Sequence, residues 1–177
     1  MSVVAVILAG GTSRRMGEDK ASMYGGVERL QACLHEAGVE RSVVLCGREE
    51  RKHLFEGEVL ADPPHISGLH RIIAWVRERL ESTVLLIPCD AFLLTPEAVS
   101  ALMTSASNGG VPLDEQGRRQ PLFAYLPATA LLDENAENVS SMLDALPSVN
   151  LPQHASAFTN FNRPDDLEHP RLRDRLA

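Results

Sequence analysis

No apolar run in this chain approaches the ~20 residues needed to cross a bilayer. The short apolar stretch near its start has no basic flank, so it reads as a strand rather than a signal peptide. A basic excess is also missing. Lys and Arg number 17 against 24 Asp and Glu, a formal net charge of −7. That balance argues against a general nucleic-acid or membrane-surface binder, because phosphate backbones call for a basic face. Cysteine is scarce and unpaired in spacing: Cys33, Cys46 and Cys89 form an odd set, which points to a reducing cytoplasm. The six histidines show no metal-ligand spacing, which argues against a zinc site. Repeats, low-complexity tracts and linkers are lacking as well. The 177 residues therefore read as a single domain, 1–177, large enough for a real core. A content of 44% hydrophobic and 23% charged residues suits a soluble globular protein.

What is present begins with Val3 to Leu8, an apolar strand that opens into Ala9-Gly10-Gly11-Thr12-Ser13-Arg14-Arg15-Met16-Gly17-Glu18-Asp19-Lys20. Glycines let the backbone approach a ligand and point successive N–H groups into one concavity. Arg14, Arg15 and Lys20 can neutralise a polyphosphate held there. This is no P-loop, since Met16, Gly17 and Glu18 stand where that motif needs Gly-Lys-Ser/Thr; no register supplies the dinucleotide Gly-x-Gly-x-x-Gly either. A nucleoside triphosphate site at the head of an α/β sheet remains.

Strands and helices alternate through the first half. Val27 to Ala37 is amphipathic, with Val27, Leu30, Cys33, Leu34 and Ala37 on one face and Gly38 as a stop. Strands are expected at Val43–Cys46, Val59–Ala61 and Val84–Ile87, and a short polar helix at Glu49–Phe55. Ser67 is expected to cap a helix reaching Leu80, with Leu69, Ile72, Ile73 and Val76 buried. Thr95 should cap another, with Pro96 at its first position. After Gly109-Gly110 the pattern suggests a hairpin, Val111–Leu113 and Leu122–Leu126 around a turn at Asp114–Gly117. Two short helices, a strand around Phe158 and a C-terminal helix from Pro164 follow. In open parallel sheets ligands bind at the carboxyl ends of strands, and Gly10, Asp62 and Asp90 each lie at such an end.

The run Leu8 to Lys20 resembles the Leu-Ala-Gly-Gly-x-Ser-x-Arg-Met-Gly-x-Asp-Lys signature of the MobA-type nucleotidyltransferases, the molybdenum cofactor guanylyltransferases. Ten specified positions of thirteen are met. The expected fold is an α/β three-layer sandwich, with a Rossmann-like, mostly parallel sheet of the nucleotidyltransferase type and a small antiparallel acceptor-side element. About 1–108 would form the nucleotide-binding half and about 109–177 the acceptor half. By resemblance, Leu8, Ala9, Gly10, Gly11, Lys20 and Asp62 bind the nucleotide, and Asp90 in Pro88-Cys89-Asp90 holds Mg²⁺. A single strand-end carboxylate is chemically sufficient, since Mg²⁺ needs only one or two besides substrate phosphates; the competing role is capping the next turn. Gln120-Pro121-Leu122 resembles a strand lining the acceptor cleft, with an ordinary edge strand as the alternative. Asn160 and Asn162, in Phe158 to Leu167, resemble the family's Asn-x-Asn ending; they reach the acceptor or metal, or serve as strand-end and helix-cap bonds.

Three departures stand out. Pro64-His65-Ile66-Ser67 replaces most of a Gly-Pro-Leu-Ala-Gly loop, Val27 stands in place of a lysine with Arg29 nearby, and Asn138 to Ser141 lacks two expected arginines. The resemblance implies that Arg15, Lys20 and Asp90 carry catalysis of GMP transfer from GTP to molybdopterin or Mo-molybdopterin. It also implies transient contact with cofactor-biosynthesis or molybdoenzyme proteins. Two other readings stay open: a cytidylyl- or other NTP transferase on the same fold, since no residue by itself selects guanine, and a non-catalytic nucleotide-binding paralogue, which the departures suggest.

Overall fold

Val3 to Leu8 is apolar at every position because both of its faces are covered. The computed structural model describes residues 2–11, 21–161, 166 and 168–172. In it, Ala5 and Ile7 of β1 (Val3–Leu8) point into one core, and Val4, Val6 and Leu8 into a second. The same alternation runs along β4 (Thr83–Pro88), with Leu85 and Ile87 on the first face and Val84 and Leu86 on the other. The first core is roofed by α1 (Gly26–Glu36) and α3 (Pro96–Ser105), the second by α2 (Leu69–Leu80) and α4 (Val139–Met142). Three layers result, as expected.

With β2 (Arg41–Gly47), β3 (Glu58–Ala61) and β6 (Tyr125–Leu126), the main sheet has the order β3-β2-β1-β4-β6. Its first four strands are parallel and β6 runs antiparallel beside β4. Strand order reverses between β1 and β4, the switch point where such sheets open a crevice. The α1 stripe holds, with Val27, Leu30, Cys33 and Leu34 buried. Thr95 caps α3 as expected, its Oγ1 accepting from the Ala98 N–H at 3.2 Å, with Pro96 beginning the helix.

Four expectations need correction. Gly68, not Ser67, caps α2, and Leu69 is 38% exposed because the helix begins there, before its buried stripe. The hairpin is reduced to isolated antiparallel bridges at Leu113–Arg119 and Gly110–Tyr125. Pro121 starts a 3-10 turn inside its second arm, and β5 (Val111–Pro112) pairs in parallel with the distant β7 (Ser148–Val149). The antiparallel element therefore belongs to the main sheet through β6. Ala155–Phe158 is a 3-10 turn rather than a strand, burying Ala155, Ala157 and Phe158. The start of the expected C-terminal helix, Pro164, lies outside the described residues.

Candidate nucleotide site

The end of β1 is built for close backbone approach. A Cβ on Gly10 would lie 2.9 Å from both the N and Cα of Gly47. A Cβ on Gly47 would lie 2.8 Å from Gly10 Cα and O, and Gly47 has φ +80°. Two glycines are thus needed where the β1 and β2 ends cross. Ala9 still belongs to the ladder, its N–H donating to the Leu45 carbonyl at 2.8 Å. Leu8 is buried in the second core and Gly11 continues the loop. Thr12 to Lys20, which include Arg14, Arg15 and Lys20, lie outside the described residues.

Asp62 joins Gly10. Its N–H donates to the Gly47 carbonyl at 2.7 Å, and its Oδ2 lies 3.6 Å from where a Gly10 Cβ would stand. Both residues line an open cleft of about 860 Å³ with Gly47, Arg48, Glu49, Glu50 and the Pro63-Pro64 turn. Burial pushes the Asp62 carboxyl above its ordinary range. The thiol of neighbouring Cys46 is also pushed up by burial, which keeps it protonated and unsuited to nucleophilic chemistry.

Asp90 occupies the other side of the switch point. Leu8 and Pro88 are register partners, so Gly10 and Asp90 are each two residues past one rung of the ladder. Asp90 is 5% exposed, in a tight turn in which the Phe92 N–H donates to its carbonyl at 2.7 Å. It is not among the residues lining the Gly10–Asp62 cleft. A buried hard-oxygen donor two residues past the β1–β4 rung is chemically suited to Mg²⁺, which takes few protein ligands. Among the described residues no group of three or more His, Cys, Asp or Glu is arranged to hold a metal ion. Arg29 reaches the same turn from α1, donating to the Ala91 carbonyl at 2.7 Å, while Val27 is buried in the core.

Aromatic packing brings the C-terminal segment to this turn. Phe92 lies 4.9 Å from the Tyr24 ring and 5.2 Å from Phe161 between centroids. Asn160, one residue before Phe161, lines a small cavity of about 120 Å³ with Asp114 and His169, and Asp90 does not line it. Asn162 lies outside the described residues. Gln120 is already engaged: its Nε2 donates to Asp114 Oδ2 at 2.8 Å.

Asp114, a turn residue with no further mark in the sequence, is the hub here. It accepts from the Gln116 and Arg118 N–H groups and from Arg118 Nε as well. Burial alone would raise its carboxyl, but these bonds from Arg118 and Gln116 outweigh it and hold it below the usual carboxylate range. Asn138 to Ser141 opens α4 through a reciprocal cap, Asn138 Oδ1 accepting from the Ser141 N–H at 2.9 Å.

A parallel sheet with a glycine crossing, a cleft carboxylate and a buried carboxylate across the switch point marks the crevice where open α/β sheets bind their ligands. Residues 5–148 match the family described as MobA-like NTP transferase domain. The chain belongs to that family and is a nucleotidyltransferase by class. It is 31% identical to a Bacillus velezensis protein named probable molybdenum cofactor guanylyltransferase, over 94% of this chain and 93% of that one. Identity is 28% to the Pseudomonas putida molybdenum cofactor guanylyltransferase, over 92% of this chain and 94% of that one. Among solved structures, molybdopterin-guanine dinucleotide biosynthesis protein A from Archaeoglobus fulgidus superposes with a TM-score of 0.72 at 20% identity, over 98% of each chain. A Methanothermobacter nucleotidyl transferase gives 0.65 at 16% identity, over 98% of this chain and 97% of that one.

Proposed function

We propose that this protein transfers GMP from GTP to the terminal phosphate of molybdopterin or Mo-molybdopterin, forming a guanine dinucleotide cofactor. The observation that carries this reading is the placement of Gly10, Asp62 and Asp90 at the carboxyl ends of β1, β3 and β4 around the switch point. Near-full-length similarity to proteins named molybdenum cofactor guanylyltransferase supports the choice of donor and acceptor.

An acceptor phosphate oxygen attacks the α-phosphorus, the bond to the oxygen bridging to the β-phosphate breaks, and pyrophosphate leaves with that electron pair. A phosphate monoester is already partly dianionic near neutral pH, so no protein base is required. Gly10 and Gly11 present backbone N–H groups to the phosphates, whereas the Ala9 N–H is held by the Leu45 carbonyl and Leu8 by the strand ladder; Lys20 and Arg15 neutralise charge at the α-phosphate and the leaving group. Asp62 accepts hydrogen bonds from the base or sugar. Asp90 would hold Mg²⁺, which would supply positive charge to offset the negative charge developing on the phosphates. Asn160, Asn162 and Gln120 are assigned to the acceptor side, Gln120 through Asp114. Within the single domain, about 1–108 serves the donor and about 109–177 the acceptor. The setting is the cytoplasm, where Cys33, Cys46 and Cys89, none of them in a disulfide, stay reduced.

The test is calorimetric titration of the protein with GTP, CTP, ATP and UTP, each with Mg²⁺. Selective GTP binding is expected. Preference for CTP moves the protein to a cytidylyltransferase, and equal binding of all four overturns the guanine assignment.

A further inference from the structure

The carbonyl of Ala9, immediately before the glycine pair, is held from outside its own strand. Arg51 Nη2 donates to it at 3.0 Å, and Arg51 Nε donates to the Cys46 carbonyl at 3.0 Å. The same guanidinium lies over the Phe55 ring, 5.7 Å from its centroid. One planar fork therefore ties the end of β1 to the end of β2, from a 3-10 turn (Glu49–Leu54) that packs beside both β2 and β3. A guanidinium can bridge two carbonyls at fixed spacing, which an ammonium cannot reproduce.

The consequence follows from peptide geometry. In a trans peptide the C=O of one residue and the N–H of the next point in opposite directions. No cis bond occurs among the described residues. Fixing the Ala9 carbonyl on Arg51 therefore turns the Gly10 N–H away from Arg51. That N–H donates to no partner among the described residues. From this geometry we infer that Arg51 is a positioning residue for the donor site. It aims the Gly10 N–H at the polyphosphate and acts through the backbone of Ala9, an inference that rests on the nucleotide-binding reading above.

The experiment compares Arg51→Met and Arg51→Lys with Arg77→Met. Arg77 clamps the Ala128 and Ala130 carbonyls far from the cleft, so its loss tests the same kind of contact without the site. Each protein is melted, titrated with Mg·GTP, and recorded as a ¹⁵N–¹H spectrum in which the Gly10 amide is assigned. Arg51→Met is expected to keep the fold, shift the Gly10 amide and weaken Mg·GTP binding about tenfold or more. Arg51→Lys should recover part of that affinity by serving one carbonyl. Arg77→Met should lower the melting temperature and leave affinity and the Gly10 amide unchanged.

Unchanged affinity in Arg51→Met, while the wild type binds, overturns this inference and leaves the proposed function standing. An equal affinity loss in Arg77→Met also overturns it, by reducing the effect to stability. Failure of the wild type to bind any nucleotide overturns both readings together.

Discussion

Replacing Gly47 by alanine puts the crossing of β1 and β2 under the hardest test. Two penalties add. Gly47 sits at φ +80°, a left-handed conformation that costs an L-residue roughly 1–2 kcal/mol. Its new Cβ would also stand 2.8 Å from Gly10 Cα and O, and because both are backbone atoms the loop itself must move; crowding of this kind costs typically ~1–3 kcal/mol. Against these, alanine lowers the entropy of the unfolded chain and returns about 0.4–1 kcal/mol. The net is a destabilisation of roughly 2–3 kcal/mol, or about 5–10 °C in Tm for a chain of this size. Gly10→Ala carries the clash without a positive φ, with a Cβ 2.9 Å from Gly47, so its cost is about 1–2 kcal/mol. Gly11→Ala meets no described atom within 4 Å and should be neutral or slightly stabilising. Denaturant unfolding of the three variants should rank them Gly11→Ala, then Gly10→Ala, then Gly47→Ala from most to least stable. A Gly47→Ala protein as stable as Gly11→Ala would refute the crossing.

Other substitutions separate stability from chemistry. Asp62→Asn should melt slightly higher than wild type without ligand while binding Mg·GTP more weakly. Burial raises the Asp62 carboxyl, so charging it costs stability as pH rises from the ordinary carboxylate value of about 3.9 through the raised one, and the amide avoids that cost. A wild type that melts higher than Asp62→Asn at neutral pH would contradict this. Asp90→Asn should cut turnover by at least ~100-fold and weaken the Mg²⁺ dependence of GTP binding; unchanged turnover removes the metal assignment. Asp114→Ala should cost about 2–4 kcal/mol in chemical unfolding, because four donors converge on its carboxylate. Since its carboxyl is depressed, that stabilisation is complete above about pH 3.9 and is lost as pH falls through the lower folded value. Wild type and Asp114→Ala should therefore converge in stability towards acid pH, and a constant gap would contradict the charge-assisted bonding.

Long elements were legible because their burial leaves a periodic mark. The unbroken apolar runs of β1 and β4 follow from two covered faces, and the α1 stripe and the Thr95 cap are local features of a helix. Strand ends then located Gly10, Asp62 and Asp90 around the sheet. Two-residue strands leave no such mark. Val111–Pro112 finds its partner in Ser148–Val149, more than thirty positions away, and nothing local distinguishes that pairing from a hairpin. The segment at Phe158 misleads for a similar reason, since four buried residues carry too few positions to separate a 3-10 turn from a strand. Gly47, Arg51 and Asp114 act through contacts made across the chain. Arg51 meets Ala9 from 42 positions away, and Gly47 matters because Gly10 crosses it. A glycine at a strand end followed by arginine was the one sequence signal available for Gly47.

The most direct measurement is turnover with Mg·GTP labelled at the α-phosphate and molybdopterin as acceptor, with pyrophosphate followed alongside the labelled product. Guanylyl transfer predicts one pyrophosphate for each labelled guanine dinucleotide formed, with CTP giving none. Label transferred from CTP in preference to GTP, or no product from protein that binds Mg·GTP and molybdopterin together, would contradict it.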